Sequence, residues 1–124
     1  MKNTYIPNRN DLIWLDFEPA KNREVGKYRP ALVLSSKEYN THMGLLICCP
    51  TSTSIRGHYL EVPINNLNTP SVVIPNAIRS VAWKTRNTKF ITKAEDGVMK
   101  EVLLRLLPLI GADNLLLQHT RISR

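Results

Sequence analysis

Short apolar runs rich in Val, Ile and Leu, each bounded by Pro, Gly, Asn or Ser, fill the first three quarters of the chain. Runs of that length with those boundaries read as short strands of a mostly antiparallel sheet. The pattern predicts strands at Leu12–Phe17, Ala31–Ser35, Leu45–Cys49, Tyr59–Ile64, Val72–Ile74, Ile78–Trp83 and Lys89–Thr92. Their close spacing leaves no room for crossover helices, so the expected fold is a small barrel or strongly coiled sheet, closed to protect its edges.

From Ala94 the period changes. Val98, Val102, Leu103, Leu106, Leu109 and Ile110 recur at three- and four-residue steps with charged residues between them, the pattern of an amphipathic helix lying on the sheet. Glu95 and Asp96 suit its positive N-terminal end, Pro108 ends or kinks its last turn, and Gly111 is placed to cap it. A shorter helical turn is expected over Ser36–Asn40. The tail Ala112–Arg124 either adds a turn through Leu115, Leu116 and Leu117 or frays.

Composition narrows the class. The chain has 124 residues, 43% apolar and 22% charged, which is ordinary for one globular domain and argues against disorder. Seventeen Lys and Arg against ten Asp and Glu give +7 at neutral pH, a field that attracts polyanions or simply maintains solubility. Cys48 and Cys49 are adjacent in an apolar run, so on a strand they point to opposite faces and read as reduced, buried thiols. No run reaches the roughly 18–20 apolar residues of a membrane span, and Met1–Asn10 lacks a signal-peptide core, so a reducing cytoplasm and no membrane partner are expected.

The charges are uneven. No acid lies between Glu61 and Glu95, whereas Arg79, Lys84, Arg86, Lys89 and Lys93 fall there together with Trp83. Clustered bases near an aromatic suit single-stranded nucleic acid with a base stacked on the ring; a solvated face with Trp83 in the core is the equal alternative. Lys21, Arg23, Lys27 and Arg29 make a second basic cluster around Glu24, ending at Arg29-Pro30. An arginine there offers a phosphate a fork of donors, or pairs with Glu24. The tract Thr51-Ser52-Thr53-Ser54 offers hydroxyls to phosphate oxygens, though such residues also serve turns locally. Phosphate-binding loops, dinucleotide turns and zinc spacings are missing, so no metal or cofactor is expected. The three histidines lie far apart in sequence, leaving His58 beside Gly57 as a proton carrier to consider and a two-histidine ribonuclease site doubtful.

Taken in order, these residues resemble the MazF/PemK (Kid) toxins of bacterial toxin–antitoxin modules. The resemblance rests on Asp11-Leu-Ile-Trp-Leu-Asp-Phe-Glu-Pro19, Glu24, Gly26, Arg29-Pro-Ala-Leu-Val-Leu-Ser35 and Tyr39-Asn40. It continues through Cys49-Pro50 with the hydroxyl tract, Gly57, Arg79-Ser80, Trp83, Arg86 and the helix Glu101-Val-Leu-Leu-Arg-Leu, over roughly residues 5–111. It implies a mainly β, SH3-like or CcdB-like barrel with a C-terminal helix over residues 1–111, the tail 112–124 being an extension. It further implies a homodimer that cuts single-stranded RNA without metal and is silenced by an acidic antitoxin of MazE/PemI type.

In that reading the ribose 2′-oxygen attacks its own phosphate, leaving a cyclic phosphate and a 5′-hydroxyl. Arg29 stabilises the charge, Ser52 stands where the family has threonine with Thr53 beside it, and Glu24 transfers a proton or orients Arg29. The implied RNA contacts are Lys27, Thr51, Ser54, Arg56, His58, Asn76, Arg79, Trp83, Lys84 and Arg86. The sequence departs from the family at Asn76-Ala77, where many members carry Asp-Gln, and an amide cannot act as a base. Either Glu24 carries that duty, the cleavage sequence differs, or activity is reduced. A gyrase-binding toxin of CcdB type and a barrel that binds nucleic acid without cutting it are the competing readings.

Overall fold

A computed structural model describes residues 4–18 and 26–122 of the chain. It forms β1 (Asp11–Asp16), β2 (Tyr28–Val33), α1 (Lys37–Met43), β3 (Leu45–Ser52), β4 (Val62–Ile64), β5 (Ser71–Val73), β6 (Arg79–Ala82), β7 (Lys89–Lys93), α2 (Val98–Leu109) and α3 (Ala112–Ile122). Every strand pair is antiparallel. The eight-residue β3 is shared three ways: Leu45–Cys48 pairs with β6, Cys48–Pro50 with β2, and Thr51–Ser52 with β5.

The sheet curls into a half-barrel with the order β4-β5-β3-β2-β1-β7, β6 lying alongside β3. The expected mainly β barrel with a C-terminal helix is therefore what the chain adopts, with one correction. The end strands β4 and β7 do not pair with each other. Residues just beyond β4 bridge the gap instead: the Asn66 Nδ2 amide donates to Lys93 O at 2.8 Å, and the Asn65 N–H donates to Glu95 Oε1 at 2.7 Å.

Alternation along the strands buries both sheet faces. On one, Leu12, Leu32, Cys49, Val62, Ile64 and Val73 pack against Val98, Val102 and Leu106 of α2. On the other, Ile13, Leu15, Phe17, Ala31, Val33, Leu46, Cys48, Val81 and Trp83 pack together, with Tyr5 and Ile6 against them. Each fully buried side chain of this kind contributes roughly 1.5–3 kcal/mol relative to exposure, which makes this double core the main stabilising element. Cys48 and Cys49 fall on opposite faces as free, buried thiols, and burial pushes both up to about 12.

Several boundaries differ from the expected ones. The strand expected over Tyr59–Ile64 shortens to Val62–Ile64 because the Glu61 carboxylate accepts the N–H groups of Arg56 and Gly57, and the Glu61 N–H donates to His58 O. That closes residues 56–61 into a turn. The long helix begins at Val98, after Gly97 in the left-handed region (φ 89°), and the Glu95 carboxylate accepts the Asn65 N–H, while only its carbonyl serves the helix end, accepting the Val98 N–H. The tail makes a full helix from Ala112. The turn expected at Ser36–Asn40 is α1, in which the Ser36 hydroxyl accepts the Tyr39 N–H and Gly44 closes the other end at φ 66°.

Candidate nucleic-acid interface

Arg29 sits on β2, opposite Leu15 of β1. The chain enters this strand through Lys27, a non-glycine residue at φ 71°, whose N–H donates to Glu18 Oε1 at 2.7 Å and whose carbonyl accepts the Phe17 N–H at 2.9 Å. Those two bonds fix the entry of β2 against the end of β1. The half-buried guanidinium then donates from Nε to Gly26 O at 2.8 Å and from Nη1 to Thr51 O at 3.2 Å. No carboxylate among the described residues pairs with it, and Nη2 makes no hydrogen bond within them. Burial first, and the charge of Arg79 second, hold its pKa below the ordinary arginine value.

The hydroxyl tract lies alongside. Thr51 is buried and its Oγ1 donates to Pro30 O at 2.8 Å, so that hydroxyl is spent on tying β3 to β2. Ser52 is half-buried, and its Oγ accepts the Ser54 N–H at 3.0 Å, which leaves the hydroxyl proton for an outside acceptor. Thr53 and Ser54 are exposed. Arg29, Thr51, Ser52, Thr53 and Ser54 open together on a groove of about 860 Å³, and Lys27 lines it too.

The groove has walls to which the sequence pattern assigned no place in the site. Trp14, Tyr28 and Pro30 form one, and the loop Asn66–Thr69 between β4 and β5 forms another, with Ile91 and Thr92 of β7. The loop reads in sequence as a plain Asn- and Pro-bearing turn, and Trp14 as one more apolar strand position. Only the pairing of Trp14 with Pro30, next to Arg29, brings them to the same place.

Several residues expected at the RNA surface make contacts within the fold or lie outside the groove. Trp83 is a correction: it is buried, and its Nε1 donates to Asn40 O at 3.1 Å, because the 3-10 turn Trp83–Thr85 after β6 swings the indole into the core. Lys84 Nζ lies 5.7 Å from the Trp83 ring centroid. Arg86 is a strut: its Nη1 donates to Asp16 O at 2.9 Å and to Glu18 O at 3.4 Å. Arg79 stands over the Phe17 ring at 5.2 Å and acts on Arg29 through its charge. Asn76 is exposed in the 3-10 turn Pro75–Ala77, outside the groove lining. Arg56 and His58 occupy the β3–β4 turn, where His58 stacks on Tyr59 and its Nδ1 accepts the Leu60 N–H. Glu24 lies outside the described residues. Among the described residues no group of three His, Cys, Asp or Glu is placed to hold a metal ion.

Residues 8–110 match the model of the PemK-like, MazF-like toxins of type II toxin–antitoxin systems. The chain belongs to this toxin family. It is 37% identical over 86 residues to the endoribonuclease toxin MazF of Escherichia coli (strain K12), covering 69% of this chain and 78% of that protein. It is 34% identical over 104 residues to the endoribonuclease toxin ChpB of the same organism, covering 79% and 89%. Among solved structures, MazF from Deinococcus radiodurans superposes with a TM-score of 0.83 at 36% identity, over 86% of this chain and 98% of that one. A MazE–MazF structure from the same organism gives 0.75 at 32%, over 87% and 99%. The groove beside Arg29 is thus the candidate site of a PemK/MazF-type toxin. No described helix is long and apolar enough to cross a membrane.

Proposed function

We propose that this toxin is a metal-independent endoribonuclease that cuts single-stranded RNA in the groove beside Arg29. One observation carries the reading: a half-buried guanidinium held only by carbonyl oxygens, among the described residues, beside a hydroxyl whose proton is uncommitted. That is a donor set for a phosphate and its transition-state charge.

Those groups suit the reaction that the family resemblance implies. The ribose 2′-oxygen attacks the adjacent phosphorus and loses its proton, and the bond to the 5′-oxygen of the next nucleotide breaks, leaving a cyclic phosphate and a 5′-hydroxyl. Arg29 stabilises the non-bridging oxygens as charge builds on them. Its lowered pKa also favours it, over an ordinary arginine, as the donor to the leaving oxygen. Ser52 donates its hydroxyl to a phosphate oxygen, with Thr53 and Ser54 lining the path. Glu24 is the proposed proton acceptor.

The protein acts in the cytoplasm as a homodimer, with an acidic antitoxin covering the groove; the relatedness to MazF solved with MazE supports that partner. The net charge of +7 suits both polyanions. The test is incubation with mixed single-stranded RNA in excess EDTA, beside Arg29→Ala, followed by mapping of ends. The expected outcome is cuts at defined sequences with cyclic phosphate ends and a loss of at least about 100-fold in Arg29→Ala. Intact RNA from folded protein would sink the reading in favour of binding alone.

A further inference from the structure

Trp14 is an anomaly of its strand. Leu12, Ile13, Leu15 and Phe17 around it are buried almost completely, yet the indole remains 38% exposed. Beside it stands Tyr28, 43% exposed, its ring stacked on Trp14 with centroids 5.3 Å apart and planes 19° from parallel. The Tyr28 hydroxyl donates to Asn87 O at 2.8 Å, which holds that ring in place behind the indole. The two rings open on the same groove as Arg29 and Ser52, with the exposed Lys27 at its edge.

The other aromatics offer no equivalent surface there. Phe17 and Trp83 are buried, Tyr5 and Phe90 meet at 55° beside a different pocket, Tyr39 of α1 lines another pocket, and Tyr59 lies in the β3–β4 turn. A flat, pre-stacked aromatic face next to phosphate donors matches what a single strand presents, a charged backbone with a base splayed to one side. Resting on the ribonuclease reading above, we infer that Trp14, backed by Tyr28, is the platform on which one base of the RNA stacks while Arg29 and Ser52 hold the phosphate.

Every base has a π-face, so a stacking platform supplies affinity rather than sequence choice. Losing the ring therefore weakens RNA binding about 5- to 100-fold and raises KM more than it lowers kcat, while the cut sites stay those of the parent.

The experiment uses a single-stranded RNA with 2′-O-methyl groups throughout, which cannot attack its own phosphates. Binding is read by anisotropy of a label on the RNA and, separately, by intrinsic tryptophan fluorescence. The expected result is quenching on binding in the parent and none in Trp14→Phe, whose remaining Trp83 is buried. Trp14→Leu should bind less tightly by the factor given, and Trp14→Phe should retain most of the affinity. Binding without quenching in the parent overturns the platform, and so does unchanged affinity in Trp14→Leu. The parent result requires no variant to fold. Cleavage of unmodified RNA in EDTA is scored in parallel: quenched binding without cleavage sinks the ribonuclease and leaves the platform standing, whereas cleavage with no quenching sinks only the platform.

Discussion

Among the described residues Arg29 is anchored by carbonyl oxygens, and that choice of partner decides what the side chain is free to do. A carboxylate would neutralise the guanidinium and occupy its paired donors; Gly26 O and Thr51 O fix its position while leaving its charge. Ser52 follows the same logic, since accepting the Ser54 N–H orients the oxygen without using its proton. Ser52→Ala is therefore expected to slow single-turnover cleavage about 10²-fold with unchanged circular dichroism, and Ser52→Thr to keep activity within a few-fold, the added methyl restricting the rotamer. Cleavage by Ser52→Ala at the parent rate would remove this hydroxyl from the chemistry. At this scale the sequence was a partial guide. Arg29 and Ser52 stand out as types suited to phosphate, but a basic residue's type does not say what its donors face. Arg86 and Trp83 carry the same composition signal, yet one holds the end of β1 by its carbonyls and the other supports α1 through Asn40 O. Trp14 belongs to the family-like motif, but nothing in the sequence marks it as solvent-facing, because an exposed indole and a buried one look alike in a strand whose two faces are both apolar.

At the scale of elements, β3 explains why the strands were legible and their ends were not. A strand buried on both faces reads as a continuous apolar run, and Leu45–Cys49 is one; its extension to Ser52 depends on pairing with β5, a contact distant in sequence. Likewise Tyr59–Glu61 has the residue types of a strand, and the Glu61 carboxylate bonding back to Arg56 and Gly57 overrides them. The adjacent cysteines of β3 provide a measurable consequence of double-sided burial. Both thiols are pushed from an ordinary 9.0 up to about 12, so the folded state holds their protons more tightly than the unfolded chain does. The resulting stability is fully present below about pH 9 and is lost as pH rises from there towards 12. Urea unfolding between pH 8 and pH 11 should show stability falling more steeply in the parent than in Cys48→Ala/Cys49→Ala. Parallel curves would mean that the thiols are not shielded in solution.

For the whole molecule, the last helix stands outside the core that holds the sheet and α2 together. The buried core residues run from Leu12 to Leu106, and none of the described α3 side chains, residues 112–119, is among them. Along α3, Leu115, Leu116 and Leu117 are more than half exposed, so these leucines bury little apolar area against α2. The groove draws none of its walls from α2 or α3, and the family match ends at residue 110. We therefore propose residues 1–111 as the toxin domain and residues 112–124 as an extension to it. A chain ending at Gly111 should fold, lose no more than about 1–2 kcal/mol of stability, and cut RNA at the parent's sites. Sedimentation of the same shortened chain locates the expected homodimer contact. An unchanged dimer places it within residues 1–111, where both subunits can line one RNA groove. A monomer that has lost cleavage would instead make the leucines of α3 the surface that joins the two copies, and the domain boundary would move past residue 111.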